Sequence, residues 1–146
     1  MINVPVVAQN QVAHVFTYGS LMYPDIFEQV TASLPRSIPA IAHHWRRYGL
    51  ANRSYPGAMP SKKKACRIEG VLWFDVSEIA LAALDRFEAD EYRRATISVT
   101  TQDGQLCSAY IYEWLFADQI QGEWSRAEFE QYHRGRFVQI HGHQQD

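Results

Sequence analysis

Apolar and polar positions divide the chain into short segments. Val12 to Tyr18 is a β-branched and aromatic run that stops at Gly19-Ser20, which predicts a strand and then a tight turn. Pro24 and Asp25 suit a first helical turn, with Ile26, Phe27 and Val30 on one side of a short helix. Ser37 to Leu50 carries strand-like apolar residues interrupted by Pro39. Ala51 to Ala65 contains Asn, Ser, Gly, two Pro and three consecutive Lys, and reads as a long loop. Cys66 to Phe74 is a predicted strand. Asp75-x-x-Glu78 has the form of a capping box opening a helix whose apolar positions Ile79, Ala83, Leu84 and Phe87 recur at helical spacing, with its end near Phe87 to Ala89. Tyr92 to Thr101 and Leu106 to Trp114 are strand runs separated by a turn containing Asp103-Gly104, a strong hairpin signal. Ser125-x-x-Glu128 is a second capping box, before a helix over about 125–137 carrying Phe129 and Tyr132, and a polar tail occupies 138–146.

Two long strands joined by a tight turn must run antiparallel, and strands outnumber helices. The expected fold is therefore α+β, a mixed and mainly antiparallel sheet curled into a small barrel with flanking helices. A chain of 146 residues with 47% apolar and 21% charged residues fits a single domain able to bury roughly two thirds of its unfolded surface. No stretch approaches the ~20 apolar residues of a membrane span, and the first residues lack the pattern of a signal peptide, so the expectation is a soluble cytoplasmic protein. Cys66 and Cys107 stand too far apart for a Cys-x-x-Cys motif and read as reduced thiols.

The net charge of −2 does not mark a polyanion binder, but its distribution is uneven. From Arg36 to Arg67 there are eight Lys or Arg and no Asp or Glu, which makes a positive face plausible. A nucleic-acid surface using Trp45, Tyr48 and Tyr55 for stacking is disfavoured by the acidic remainder of the chain and by the lack of a nucleic-acid motif. Metal sites are weak both at His43-His44, where adjacent residues on a strand point apart, and at His141-x-His143, which lies in the polar tail.

Two segments can carry chemistry. Tyr18-Gly19-Ser20-Leu21 ends a strand and precedes a helix, where backbone N–H groups form a small concavity suited to a carboxylate or carbonyl oxygen. The second segment, Leu84 to Arg94, gathers carboxylates and arginines at a helix-to-strand junction. Within it Glu88 follows Phe87 where the helix leaves its packed face, a place where desolvation raises a carboxyl pKa. A Gly-Ser turn and a solvated acidic helix end are the bland readings of the same residues, and composition alone favours them.

The order of Y-G-S-L (Tyr18 to Leu21), R-x-Y-P-G (Arg53 to Gly57), E-G-V-L-W (Glu69 to Trp73), L-D-R-F-E (Leu84 to Glu88), E-Y-x-R (Glu91 to Arg94) and A-x-I-Y (Ala109 to Tyr112) resembles the gamma-glutamylcyclotransferase-like family, in particular its avirulence-induced-gene-like branch, over about residues 14–114. The resemblance implies a barrel-like domain with a pocket at one end. It implies that the backbone of Gly19, Ser20 and Leu21 holds the polar head of a γ-glutamyl compound, and that Glu88 is the acid/base that closes the glutamyl group to 5-oxoproline and releases an amine. Neither a metal nor an organic cofactor is called for. Tyr18, Tyr92 and Tyr110 are candidate pocket walls, and Arg53 with Tyr55 is a candidate contact for the far end of the substrate. Many family members carry Gly after the catalytic Glu, where this chain has Ala89. The leaving amine stays open among glutathione, other γ-glutamyl amino acids, γ-glutamyl amines and an isopeptide-linked lysine. A module that binds a small anion or a protein without catalysis is the competing reading. The expected assembly is a monomer or weak homodimer.

Overall fold

The computed structural model describes residues 12–133. Five strands close a barrel: β1 (Val12–Thr17), β2 (Ser37–His43), β5 (Arg67–Ser77), β6 (Tyr92–Thr101) and β7 (Leu106–Trp114), in the order β1-β5-β2-β6-β7. Neighbours pair antiparallel except at the seam, where β1 meets β7 in parallel through Val15 and Tyr110. The β6–β7 hairpin turns at Gly104, whose φ of +84° is the left-handed geometry expected of Asp-Gly.

Two apolar clusters result from the period of two along these strands. Phe16, Ala40, Ala42, Ile68, Leu72, Val99, Ala109 and Ile111 fill the barrel interior. The interior is narrow: a Cβ on Gly70 would lie 2.3 Å from the Thr17 carbonyl oxygen, so β1 and β5 approach this closely only over glycine. Outside, Val15, Trp73, Val76 and Tyr112 pack against α1 (Pro24–Thr31) and α2 (Glu78–Glu88), with Phe27 stacked on Trp73 at 4.2 Å between ring centres.

Several local readings need correction. β2 runs straight through Pro39, which pairs with Val71; β6 pairs only with Ala40 and Ile41, so the missing N–H lies beside an unpaired edge. The stretch 51–65 is not all loop, because Gly57–Pro60 forms β4, antiparallel to β3 (Trp45–Tyr48). The strand before α2 continues past Phe74 to Ser77 over a register shift, with Asp75 at φ +54°. The cap of α2 is accordingly Ser77, whose hydroxyl accepts from the Ala80 N–H, rather than Asp75. That displacement turns Ile79 to solvent, 82% exposed, and buries Ala80 and Leu84. Ser125 does cap the last helical segment, accepting from the Glu128 N–H; α3 (Arg126–Glu128) passes at once into a wider π turn at Phe129–His133, and the remainder of the predicted helix and the His141-x-His143 pair lie outside the described residues. No helix among the described residues is long and apolar enough to cross a membrane.

Candidate active site

A cavity of about 150 Å³ opens where the end of β1, the loop before β4 and the end of α2 converge. One wall is Thr17 to Leu21. Tyr55 and Pro56 form another, and Phe87, Glu88, Glu91 and Tyr92 the third, with Tyr112 beneath. An apolar cavity of ~150 Å³ holds a benzene-sized body, so a compact ligand head fits and anything larger extends through the mouth.

The 18–21 turn is built by directing its carbonyls away from the cavity. Arg47 donates from Nη1 to the Tyr18 carbonyl (2.8 Å), Met22 N–H to that of Gly19 (3.0 Å), Tyr23 N–H to that of Ser20 (3.3 Å) and Trp73 Nε1 to that of Leu21 (3.2 Å). In a trans peptide the following N–H points opposite its C=O, so these bonds orient the donors of Gly19, Ser20 and Leu21 to the other side. The N–H groups of Ser20 and Leu21 precede the first bond of the 3-10 turn Ser20–Met22 and have no partner within it. Gly19 admits the Tyr55–Pro56 wall: a Cβ there would stand 2.7 Å from Pro56 Cδ.

At the opposite side, Asp85, Glu88 and Glu91 succeed one another at helical spacing. Asp85 accepts from the Tyr112 hydroxyl (2.6 Å) and pairs with Arg94 (3.3 Å). Glu91 takes Arg53 Nη2 (2.5 Å) and the Tyr55 hydroxyl (3.0 Å). Between them Glu88 has neither hydrogen bond nor ion pair among the described residues. Desolvation first, then the charges of Glu91 and Asp85, push its carboxyl up to about 8. The tyrosines offer no competing base: burial raises the phenols of Tyr18, Tyr55, Tyr92 and Tyr112, and their hydroxyls are engaged, Tyr18 with the Tyr112 carbonyl (2.5 Å) and Tyr92 with that of Pro56 (2.7 Å).

Of the residues singled out in the sequence, Tyr18, Gly19, Ser20, Leu21, Tyr55, Glu88 and Tyr92 line one cavity. Tyr110 does not. Its ring lies under the Arg94 guanidinium (4.6 Å), and Tyr112, two residues on and on the same strand face, takes the place at the pocket. Arg53 reaches the site only through Glu91 and Tyr55, and its guanidinium is occupied there rather than free for an anion. Arg47, Trp73 and Glu91 were not among the sequence candidates; Glu91 stands in the E-Y-x-R motif and Trp73 in E-G-V-L-W, while Arg47 reveals itself only through contacts distant in sequence. Trp45 packs on the barrel interior and Tyr55 on the pocket, so they do not form a stacking row with Tyr48. Among the described residues no three His, Cys, Asp or Glu gather as metal ligands.

The family model described as gamma-glutamyl cyclotransferase, AIG2-like, matches residues 15–134. AIG2-like protein A of Arabidopsis thaliana is 30% identical over 132 residues, which span 88% of this chain and 79% of that protein. A solution structure of an Arabidopsis thaliana protein superposes with a TM-score of 0.69 at 28% identity, covering 89% of this chain and 88% of its own. A structure named as a gamma-glutamyl cyclotransferase shares the fold at 16% identity, with a TM-score of 0.64 over 77% of this chain and 70% of its own.

Proposed function

From the membership of this chain in the gamma-glutamyl cyclotransferase, AIG2-like family, we propose that it cyclises a small γ-glutamyl compound to 5-oxoproline and releases an amine, with Glu88 as general acid and base. The observation that carries the reading is an unpaired carboxyl titrating at about 8 in the same cavity as a turn whose N–H donors are free of carbonyl partners.

The chemistry needs little else. Glu88 takes a proton from the α-ammonium group of the substrate. The freed amine nitrogen attacks the γ-carbonyl carbon of the same molecule, Glu88 returns its proton to the leaving nitrogen as that bond breaks, and the second proton shed by the attacking nitrogen goes to the departing amine, which leaves as an ammonium ion. Atoms balance with no water consumed, and the ring formed has five members. Since attacking and attacked groups share one molecule, the site acts by holding a bent glutamyl conformation, by donating to the oxygen on which charge develops, and by relaying protons from the attacking to the leaving nitrogen. Gly19, Ser20 and Leu21 supply donors, while Tyr18, Tyr55, Tyr92 and Tyr112 give apolar ring faces because their hydroxyls are occupied. A carboxyl near 8 suits exchange with an amine, for proton transfer is most efficient between groups of similar affinity.

The test is incubation with a panel of γ-glutamyl amino acids and amines, reading 5-oxoproline release, beside the Glu88→Gln protein. Release that depends on Glu88 is expected. Binding of a panel member without turnover would instead indicate a binding module on the same fold.

A further inference from the structure

A second concavity, about 300 Å³, lies between β3 and the start of β5. Arg46, Arg47 and Arg67 line it together with Glu123, Cys66 and Ile68. The proposed reaction uses none of these side chains directly. The charges do not cancel: Glu123 takes Arg46 (2.6 Å), whereas Arg47 and Arg67 have no carboxylate partner among the described residues. Arg47 is held in place, its Nη1 on the Tyr18 carbonyl (2.8 Å) and its guanidinium over the Trp124 ring (5.0 Å), and its other nitrogens are left without a hydrogen bond. Burial lowers the proton affinity of Arg47 and nearby Arg126 lowers it further, with Glu123 and Glu69 opposing. A half-buried guanidinium without a counter-charge is costly unless an anion supplies one.

We propose that this cleft binds a small multivalent oxyanion of the phosphate class, clamped between Arg47 and Arg67 with Arg46 at the rim. Guanidinium forks match tetrahedral oxyanions through paired charge-assisted bonds. A concave site bounded by three arginines favours a discrete anion over an extended polymer, which would track the exposed Lys62 to Lys64 run instead.

Inorganic pyrophosphate and inorganic phosphate are titrated calorimetrically into the full chain at constant ionic strength set with KCl. One pyrophosphate per chain is expected. Arg67→Gln, an exposed position whose loss leaves folding intact, should weaken binding at least tenfold, in line with the loss of a charge-assisted bond. Glu123→Gln, which releases Arg46, should tighten binding, and Arg93→Gln on β6 should change nothing. The titration is repeated on Glu88→Gln, where the same affinity is expected, so the outcome is independent of whether the chain turns over a γ-glutamyl compound. Absence of saturable binding, or equal weakening by Arg67→Gln and Arg93→Gln, overturns the proposal. Tighter binding of a single-stranded oligonucleotide that is lost on substituting Lys62 to Lys64 but insensitive to Arg67→Gln would also overturn it, in favour of a nucleic-acid surface.

Discussion

Replacing Glu88 by Gln keeps the volume of the side chain and removes its charge, so it tests stability and chemistry together. In the folded chain this carboxyl titrates at about 8, against an ordinary value of 4.5. The folded protein therefore holds the proton more tightly than the unfolded one. The corresponding stability is complete below about pH 4.5 and is lost as pH rises towards 8. Each tenfold in proton affinity is about 1.4 kcal/mol, which sets an upper limit of about 5 kcal/mol for the full displacement. Glu88 is only partly buried and the cavity opens to water, so screening reduces the effect to about 1–3 kcal/mol. In a domain of this size 1 kcal/mol moves Tm by about 3–4 °C. Gln at this position mimics the protonated acid. Melting curves of the two proteins should therefore coincide near pH 4.5 and separate by roughly 3–10 °C at pH 8.5, the variant being the more stable. Activity should move the other way, falling at least about a hundredfold in 5-oxoproline release. Tm differences that do not vary with pH would show that Glu88 titrates as an ordinary surface carboxylate, and undiminished release would remove it from the reaction.

Gly19→Val places Cβ branches against Pro56, already 2.7 Å from an ideal Cβ and fixed by the Tyr92 hydroxyl on its carbonyl; substrate KM should rise at least about tenfold while the melting curve stays cooperative. If KM is unchanged in a folded variant, the turn does not anchor the substrate. Glu91→Gln deletes one of the charges that raise Glu88 and frees Arg53. The rising limb of the pH dependence of kcat/KM should then shift to lower pH; a shift to higher pH contradicts the electrostatic assignment. Ala89 has φ +57° and ψ −147°, a region open in practice to glycine alone. Ala89→Gly relieves that strain at some cost in unfolded-chain entropy, so a net gain of about 1 kcal/mol, or about 3 °C in Tm, is expected; a lower Tm would show that the backbone there is unstrained.

How much of this was readable in advance depends on whether the signal is local. β1 and the β6–β7 hairpin form where β-branched runs and Asp-Gly predict them. β4 escapes such reading because Gly-Ala-Met-Pro has no strand pattern of its own and is extended by pairing with β3. The phase of α2 is missed for a related reason. A bulge against β1 carries the strand to Ser77, and no spacing within 75–87 records where β1 lies. Tyr110, not Tyr112, is the pocket wall expected from the sequence, and what separates the two, the axial position of each along β7 relative to α2, has no local signal. The helix leaves Glu88 through a positive φ at Ala89, a backbone geometry that favours glycine and that the side-chain pattern of 84–91 does not announce.

Glu88 is distinguished less by its own surroundings than by what has been done to its neighbours. Three carboxylates one helical turn apart would ordinarily share their repulsion, and none would stand out. Here Arg94, on the adjoining strand, pairs with Asp85, and Arg53, 38 residues away in sequence, pairs with Glu91. Those pairings blunt the charge on both flanks, which is why burial rather than crowding is the larger cause of the raised carboxyl. Glu88 is also the last residue of α2, where the negative end of the helix dipole further disfavours a carboxylate. The turn opposite is built by the same logic with the sign reversed: Arg47 and Trp73 satisfy carbonyls so that N–H groups remain for a ligand. In both places the barrel spends ordinary hydrogen bonds on the flanking groups, and an acid that ionises reluctantly and a row of uncommitted donors, the pair the proposed reaction calls on, are left facing one small volume.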